Sequence, residues 1–261
     1  MREKVISSAI LLFMINVFSP EATSQKMMKL NENLKANREP LSVKMSGGSM
    51  MKFDFGVYKT ISAKAGLTRT SSSSKFFSSV EKSESKQKSS VVMTGNETDT
   101  ATINISLNVQ SEEVRQMVLS ISKGRVAWER EEDPSKIKQT RNVVGLITTN
   151  RDTVTWNFIY VSRESTDNTN QNESFAFITD GKKRFDIKKI TVWDNGKSPT
   201  LYSFVGFEFY ADDMVVAAVQ NPRDTFQKKF VWLENGLDEY MKLILATASS
   251  ILFSFTNQLP D

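Results

Sequence analysis

Hydrophobic and polar residues along this chain alternate more often than they recur every third or fourth position. Phe53, Phe55 and Val57 alternate with Lys52, Asp54 and Gly56, and Ile61 follows Lys59-Thr60. A period of two predicts a half-buried strand. The clearest case runs from Ala101 to Val109: Ile103, Ile105, Leu107 and Val109 share one side, Asn104, Ser106 and Asn108 the other. Such a strand has one face in a core and one in water. Ser90 to Thr94 joins it across Gly95–Asp99. Val143–Thr149 and Val154–Ser162 meet at Asn150-Arg151-Asp152, and Phe175–Ile178 meets Phe185–Ile187 across Asp180-Gly181. Ile190–Trp193 runs into Asp194-Asn195-Gly196, followed by Leu201–Phe204, Gly206–Tyr210 and Met214–Val219, the last two hinged at Asp212-Asp213. Short strands separated by frequent turn signals predict a mainly antiparallel barrel or sandwich.

Two segments carry a helical period instead. After Ser111-Glu112-Glu113, residues Val114, Met117, Val118 and Ile121 stand at i, i+3, i+4 and i+7, and Gly124 is placed as a stop. This spacing predicts a short helix near 112–122. The second helix is long. Leu237, Tyr240, Met241, Ile244, Leu245, Ala248, Ile251, Leu252 and Phe255 line one side, and beyond Lys242 the other side is apolar or small as well. A helix that is apolar nearly all round must be wrapped by protein or by lipid. Residues 237–257 would reach roughly 31 Å, enough for a membrane span. Several Ser and Thr after Ala246, and no flanking Lys or Arg beyond the helix, favour a buried core element. The expected class is therefore α+β, with strands packed around or against a hydrophobic C-terminal helix.

The pattern also divides the chain. Arg2 and Lys4 precede an apolar run from Val5 to Phe18, and Ala22-Thr23-Ser24 offers small residues for cleavage. Residues 1–24 thus read as a signal peptide, and the protein as exported: periplasmic, envelope-associated or secreted. Residues 25–48 read as a mobile N-terminal arm, with few apolar positions and interruptions at Pro40 and Gly47-Gly48. Residues 49–261 read as a single β-rich domain, which a faint internal echo would divide into sub-units at 49–130 and 140–261. Ser71 to Ser90 holds ten serines and four lysines in twenty residues. It reads either as an exposed hairpin or disordered insertion, or as a basic loop that touches an anionic surface through Lys75, Phe76 and Phe77.

Composition narrows the chemistry. The chain has 261 residues with neither histidine nor cysteine. Ser-His-Asp and Cys-His nucleophiles, the usual His/Cys metal sets, disulfides and a Cys-anchored lipoprotein are thereby excluded. A net charge of +4 is too mild to imply nucleic acid. Carboxylates and lysines remain as acid–base groups. Glu129, Glu131, Glu132 and Asp133 cluster after Trp128, which suggests either a glycosidase pair or a solvated turn ending in Asp-Pro. Asp194-Asn195 and Asp212-Asp213 are explained by turns and lack calcium-loop spacing. Trp128, Trp156, Trp193 and Trp232 would line a groove or, more simply, pack in a core. Asn96, Asn104 and Asn172 head formal glycosylation sequons. No catalytic, cofactor-binding or metal-binding residue is assigned. The expected function is a non-catalytic exported protein that binds a lipid, glycan or protein partner. The alternatives are a carboxylate-based polysaccharide hydrolase and an envelope protein held in the membrane by its C-terminal helix.

The order of elements resembles the tubby-like fold, with its plant defence-related and scramblase-like relatives. The resemblance rests on Gly206-Phe-Glu-Phe-Tyr210 through Val219, and on Phe230-Val-Trp232 leading into the last helix. It implies an antiparallel barrel closed around a hydrophobic C-terminal helix. It carries no phosphoinositide site over, because no matching basic residues are identified.

Overall fold

The computed structural model describes residues 26–37, 39–46, 52–74, 80–96, 98–122, 125–165, 173–199, 204–222 and 227–255. In chain order these form α1 (Glu32–Asn37), β1 (Leu41–Ser42), β2 (Lys44–Met45), β3 (Phe53–Phe55), β4 (Tyr58–Ala65) and β5 (Arg69–Ser74). Then come β6 (Val80–Thr94), β7 (Thr100–Ser122), β8 (Arg125–Thr149), β9 (Trp156–Ser165) and β10 (Glu173–Thr179). Last are β11 (Arg184–Ile190), β12 (Gly206–Ala211), β13 (Met214–Gln220), β14 (Phe230–Leu233) and α2 (Glu239–Phe255).

Neighbouring strands pair in the order β1, β14, β13, β12, β11, β10, β9, β8, β7, β6, β4, β3, β2, and β5 adds to β6 beside this path. The two ends of the path are consecutive in the chain, with only Val43 between β1 and β2. β1 pairs with β14 and β2 with β3, and the Val43 amide donates to the Lys229 carbonyl at 3.0 Å. One bent segment thus joins both margins of the sheet, giving a nearly closed antiparallel barrel and satisfying backbone groups that an open edge would expose.

Alternation along the strands fills the interior. Ile103, Ile105 and Leu107 of β7, Val143 and Ile147 of β8, and Trp156, Phe158 and Tyr160 of β9 are buried in one cluster with α2. Every residue of α2 from Leu243 to Phe253 is buried. Its hydroxyls are satisfied locally: Thr247 donates to the Leu243 carbonyl at 2.8 Å and Ser249 to that of Leu245 at 2.7 Å. Ser and Thr can therefore sit in an enclosed helix without unpaired groups. Asp238 starts the helix, its Oδ1 accepting the Met241 amide at 2.7 Å. Gly145 makes the close approach possible, since a Cβ there would stand 2.9 Å from Ile103 and 3.2 Å from Ile251. Among the described residues no helix is long and apolar enough to cross a membrane.

Two expectations are corrected. The segment 112–122 is not a helix; it is the second half of β7, pairing Leu119 with Trp128 and Ile121 with Val126. The i, i+3, i+4, i+7 spacing coincides there with β-branched residues, and a cross-strand partner decides for the strand. The run from Glu131 to Pro134 is not a terminal turn, because β8 continues through it. The register jumps from Glu113↔Ile137 to Arg115↔Glu132, leaving 133–136 without partners across the ladder. Pro134 falls in that irregularity, where its missing amide breaks no ladder bond. The N-terminal segment lies along the sheet, with Met28 and Leu34 buried against its outside. The Ser/Lys-rich stretch contains the paired strands β5 and β6, the hairpin alternative. The expected signal peptide at 1–24, Lys75 to Phe77 and Asn172 lie outside the described residues.

Candidate binding surface

A barrel filled by a helix should turn its other face to water, and most outward positions are polar. β8, β9 and β10 depart from this rule. Their inward residues are Val143, Ile147, Phe158, Tyr160, Ala176 and Ile178, all buried. The alternate positions therefore point outward, yet they hold Val144, Leu146, Ile159, Val161, Phe175 and Phe177. The register places them side by side: Val144 opposite Ile159, Ile159 opposite Phe177, and Val161 opposite Phe175. Val144, Leu146 and Phe175 are 41%, 44% and 51% exposed, and the other three are half-buried. The Phe175 and Phe177 rings stack with centroids 6.3 Å apart.

The same outward rows become polar, then basic, on crossing to β7, β6 and β4. One row runs from Phe177 through Ile159, Val144 and Ser106 to Lys88. The next runs through Leu146, Asn104 and Ser90 to Lys64. A third runs from Phe175 through Val161, Asn142 and Asn108 to Lys86. Between the two ends lies a groove of about 510 Å³, bordered by Lys64, Gly66, Lys88, Ser90, Asn104, Ser106, Val144 and Leu146.

Its rim is built by Gly66. The Gly66 amide donates to the Lys88 carbonyl at 2.7 Å, and a Cβ on Gly66 would stand 2.3 Å from that oxygen. Only glycine allows this approach. It seats the β4–β5 connection on β6 and leaves Leu67 projecting, 90% exposed. A second depression links Gly66 and Leu67 to Arg69, Lys86 and Lys88.

Charge around this surface is mostly positive. Among the described residues, neither Lys64 nor Lys88 has a carboxylate partner. Lys86 pairs with Glu84 at 2.9 Å. The hydrogen bonds from Lys86 and then Gln110 hold the Glu84 carboxyl below its ordinary range. On the far side, Arg184 lies over the Phe177 ring at 4.0 Å and pairs with Asp186 at 2.7 Å.

The outside of β12 to β14 is the counterpart. It is apolar too, with Val215, Ala218, Phe230 and Trp232 outward, but Met28 and Leu34 of the N-terminal segment cover it. Buried polar side chains fix that segment by its backbone. Gln220 accepts the Met28 amide at 2.8 Å and donates to the Lys26 carbonyl at 3.0 Å. Glu208 accepts the Asn31 amide at 2.9 Å and the Tyr210 hydroxyl at 2.8 Å. Burial, then the Glu208 carboxylate, pushes the Tyr210 phenol up to about 12. At one end of the barrel Lys229 is lowered to about 8 by burial, and its ammonium contacts the Asn221 side-chain oxygen.

The residues singled out from sequence fall elsewhere. Trp156 is in the core, 5.9 Å from the Phe185 ring, and Trp193 and Trp232 belong to the covered outer cluster. Glu129, Glu131, Glu132 and Asp133 lie on β8 beyond the barrel wall, where among the described residues the strand pairs only with β7. Asp212, with φ of 52°, and Asp213 form the β12–β13 turn. In the Asp194-Asn195-Gly196 turn, the Asn195 side chain accepts the Lys197 amide at 3.0 Å. Among the described residues no group of three or more acidic side chains is placed to hold a metal. Asn104 lines the groove, whereas Asn96 donates to Glu239 at 3.4 Å. The outward apolar positions of β8 to β10 were not singled out from sequence. Their signal was there in Phe175-Ala-Phe-Ile178, apolar at every position, as in a strand covered on both faces.

Comparison with protein-family models, with curated proteins and with solved structures finds no match.

Proposed function

We propose that this is a non-catalytic, exported binding protein built on a tubby-like barrel, which attaches to a partner through the outer face of β8 to β10. One observation carries the reading: six outward apolar residues stand side by side on three adjacent strands, with Val144, Leu146 and Phe175 exposed, on a barrel whose other apolar outer face is sealed by its own chain. Contiguous exposed apolar surface of this kind marks interaction sites in soluble folds. A hydrolase would need two carboxylates facing one another across a cleft. The cleft that does hold two carboxylates, Glu84 and Glu112, has each paired with a lysine, Lys86 and Lys82, and the groove beside this face is bordered by lysines, hydroxyls, an amide and aliphatic groups.

The test is sedimentation of the purified protein with an envelope fraction from its own source. The wild type should co-sediment. Leu146→Ser combined with Phe175→Ser should reduce the bound share by about tenfold or more while leaving the unfolding temperature within a few degrees. Equal sedimentation of the two proteins would refute the reading.

A further inference from the structure

We infer that the partner on this face is the surface of an anionic lipid bilayer, an inference that rests on the docking role proposed above. Four features of the surface select that occupant.

The first is shape. The apolar strip occupies the outside of a barrel, and a small molecule bound there would keep much of its own surface in water. Small-molecule sites are concave, and a broad, soft interface suits this strip better. The second is the order of chemistry along the rows. Hydrocarbon on β8 to β10 gives way to hydroxyls and amides at Ser90, Asn104 and Ser106, and then to Lys64, Lys86 and Lys88. Strands lie about 4.8 Å apart, so this sequence unfolds over roughly 15 to 20 Å. A membrane surface presents the same succession, with acyl chains, ester and hydroxyl groups, and anionic headgroups.

The third is Leu67. It is a large apolar side chain at 90% exposure, held out on the Gly66 ledge among Lys64, Arg69, Lys86 and Lys88. Basic side chains around a projecting apolar group combine attraction to anionic lipid with insertion below the headgroups. The fourth is the contrast with β12 to β14. There the covering element is polypeptide, and the sheet supplies Gln220 and Glu208 to satisfy its backbone. The centre of the β8 to β10 strip offers only hydrocarbon, and an acyl layer has no backbone to satisfy. No particular headgroup is selected, because no side chains converge on one point in a closed cradle.

The absence of cysteine makes the test direct, since any introduced thiol is unique. An environment-sensitive fluorophore is attached to Leu67→Cys, to Phe175→Cys and, as a control beside the covered face, to Asp194→Cys. Vesicles are either pure phosphatidylcholine or phosphatidylcholine with 30 mol% phosphatidylglycerol. The inference expects a blue-shifted, brighter signal at positions 67 and 175 with the anionic vesicles, little change at 194, and reversal by high salt. Lys64→Gln with Lys88→Gln should weaken vesicle binding on the order of 25-fold, about fivefold for each lysine. Soluble glycerol phosphate should not compete.

Other outcomes overturn the inference, and they separate it from the docking role itself. Suppose neither label responds to vesicles, while the envelope fraction still binds wild type and not the double Ser variant. The occupant is then a protein or glycan, and only the lipid assignment fails. An equal response to neutral vesicles removes the part given to the basic rim. Competition by glycerol phosphate would make the groove a headgroup pocket rather than part of a membrane face. Concentration-dependent self-association that buries both labels without vesicles would make the occupant a second copy. Loss of both vesicle and envelope binding would take the docking role down as well.

Discussion

The outside of the barrel is apolar in two places, and the chain treats them differently. Over β12 to β14, Val215, Ala218, Phe230 and Trp232 lie beneath residues 26–37, and Gln220, Glu208 and Asn33 hydrogen-bond across that contact. Over β8 to β10, Val144, Leu146 and Phe175 stand 41 to 51% exposed, with no described segment above them. Burying an apolar side chain of this size stabilises by roughly 1.5 to 3 kcal/mol. The covered face therefore contributes to folding, and the open face makes no such contribution. The polar residues show the same division. Gln220 and Glu208 are at most 3% exposed and hydrogen-bonded to the covering backbone, whereas Lys64 and Lys88 face water. A covered face has its polar groups at the centre, fixing a chain. The open face has them at the margin, where they meet charge.

This contrast is most vulnerable at the covered face. Leu34 is fully buried there, and Leu34→Ala should cost about 2 to 5 kcal/mol in denaturant unfolding. A loss below 1 kcal/mol would mean that the N-terminal segment only rests on the sheet. Gln220→Ala should cost on the order of 2 to 3 kcal/mol, since it strands the Met28 amide and the Lys26 carbonyl in a buried contact.

Lys229 is an internal control away from both faces. Its pKa is lowered to about 8, so between about pH 8 and 10.5 the unfolded chain holds the proton that the folded chain has released. Its effect on stability is unfavourable below pH 8, and it fades as pH rises to 10.5. Lys229→Met should therefore stabilise at pH 7 by roughly 1 to 2 kcal/mol, after the lost contact with Asn221, and the advantage should shrink across that window. A constant difference from pH 7 to 10.5 would show that Lys229 is not desolvated. The smallest stability effect belongs to the open face. Leu146→Ser with Phe175→Ser should change unfolding free energy by no more than about 1 kcal/mol, mostly the lost Phe175–Phe177 stacking, while abolishing docking.

The barrel was largely legible because its strands are one-sided. Ile103, Ile105 and Leu107 are inward and Asn104 and Ser106 outward, as the period of two predicts. The enclosed helix was legible because a segment apolar on every side must be wrapped by protein or lipid, and its Ser and Thr residues favour protein. Segment 112–122 reads as a helix because Val114, Met117, Val118 and Ile121 fit a helical face, and what decides against it is the partner strand β8. The binding face was missed for the opposite reason. Val154 to Ser162 and Phe175 to Ile178 were recognised as strands, but a strand apolar on both sides does not say which side faces the core. Only the pairing with β9 and the burial of Ala176 and Ile178 show that Phe175 and Phe177 point outward. Met28 and Leu34 were likewise too sparse to signal a contact, since their partners lie on β12 to β14, more than 170 residues away along the chain.

The difference between the two faces reduces to thiol reactivity at two positions. Phe175→Cys and Leu34→Cys each introduce the only thiol in the molecule, and both are followed with a water-soluble alkylating reagent. In the free protein, the thiol at position 175 should react at nearly the rate of a small-molecule thiol, and the one at position 34 should react at least a hundredfold more slowly. Vesicles containing phosphatidylglycerol should protect position 175 and leave position 34 unchanged. Equal slow reaction at both positions in the free protein, or reaction at 175 indifferent to anionic membranes, would contradict the account.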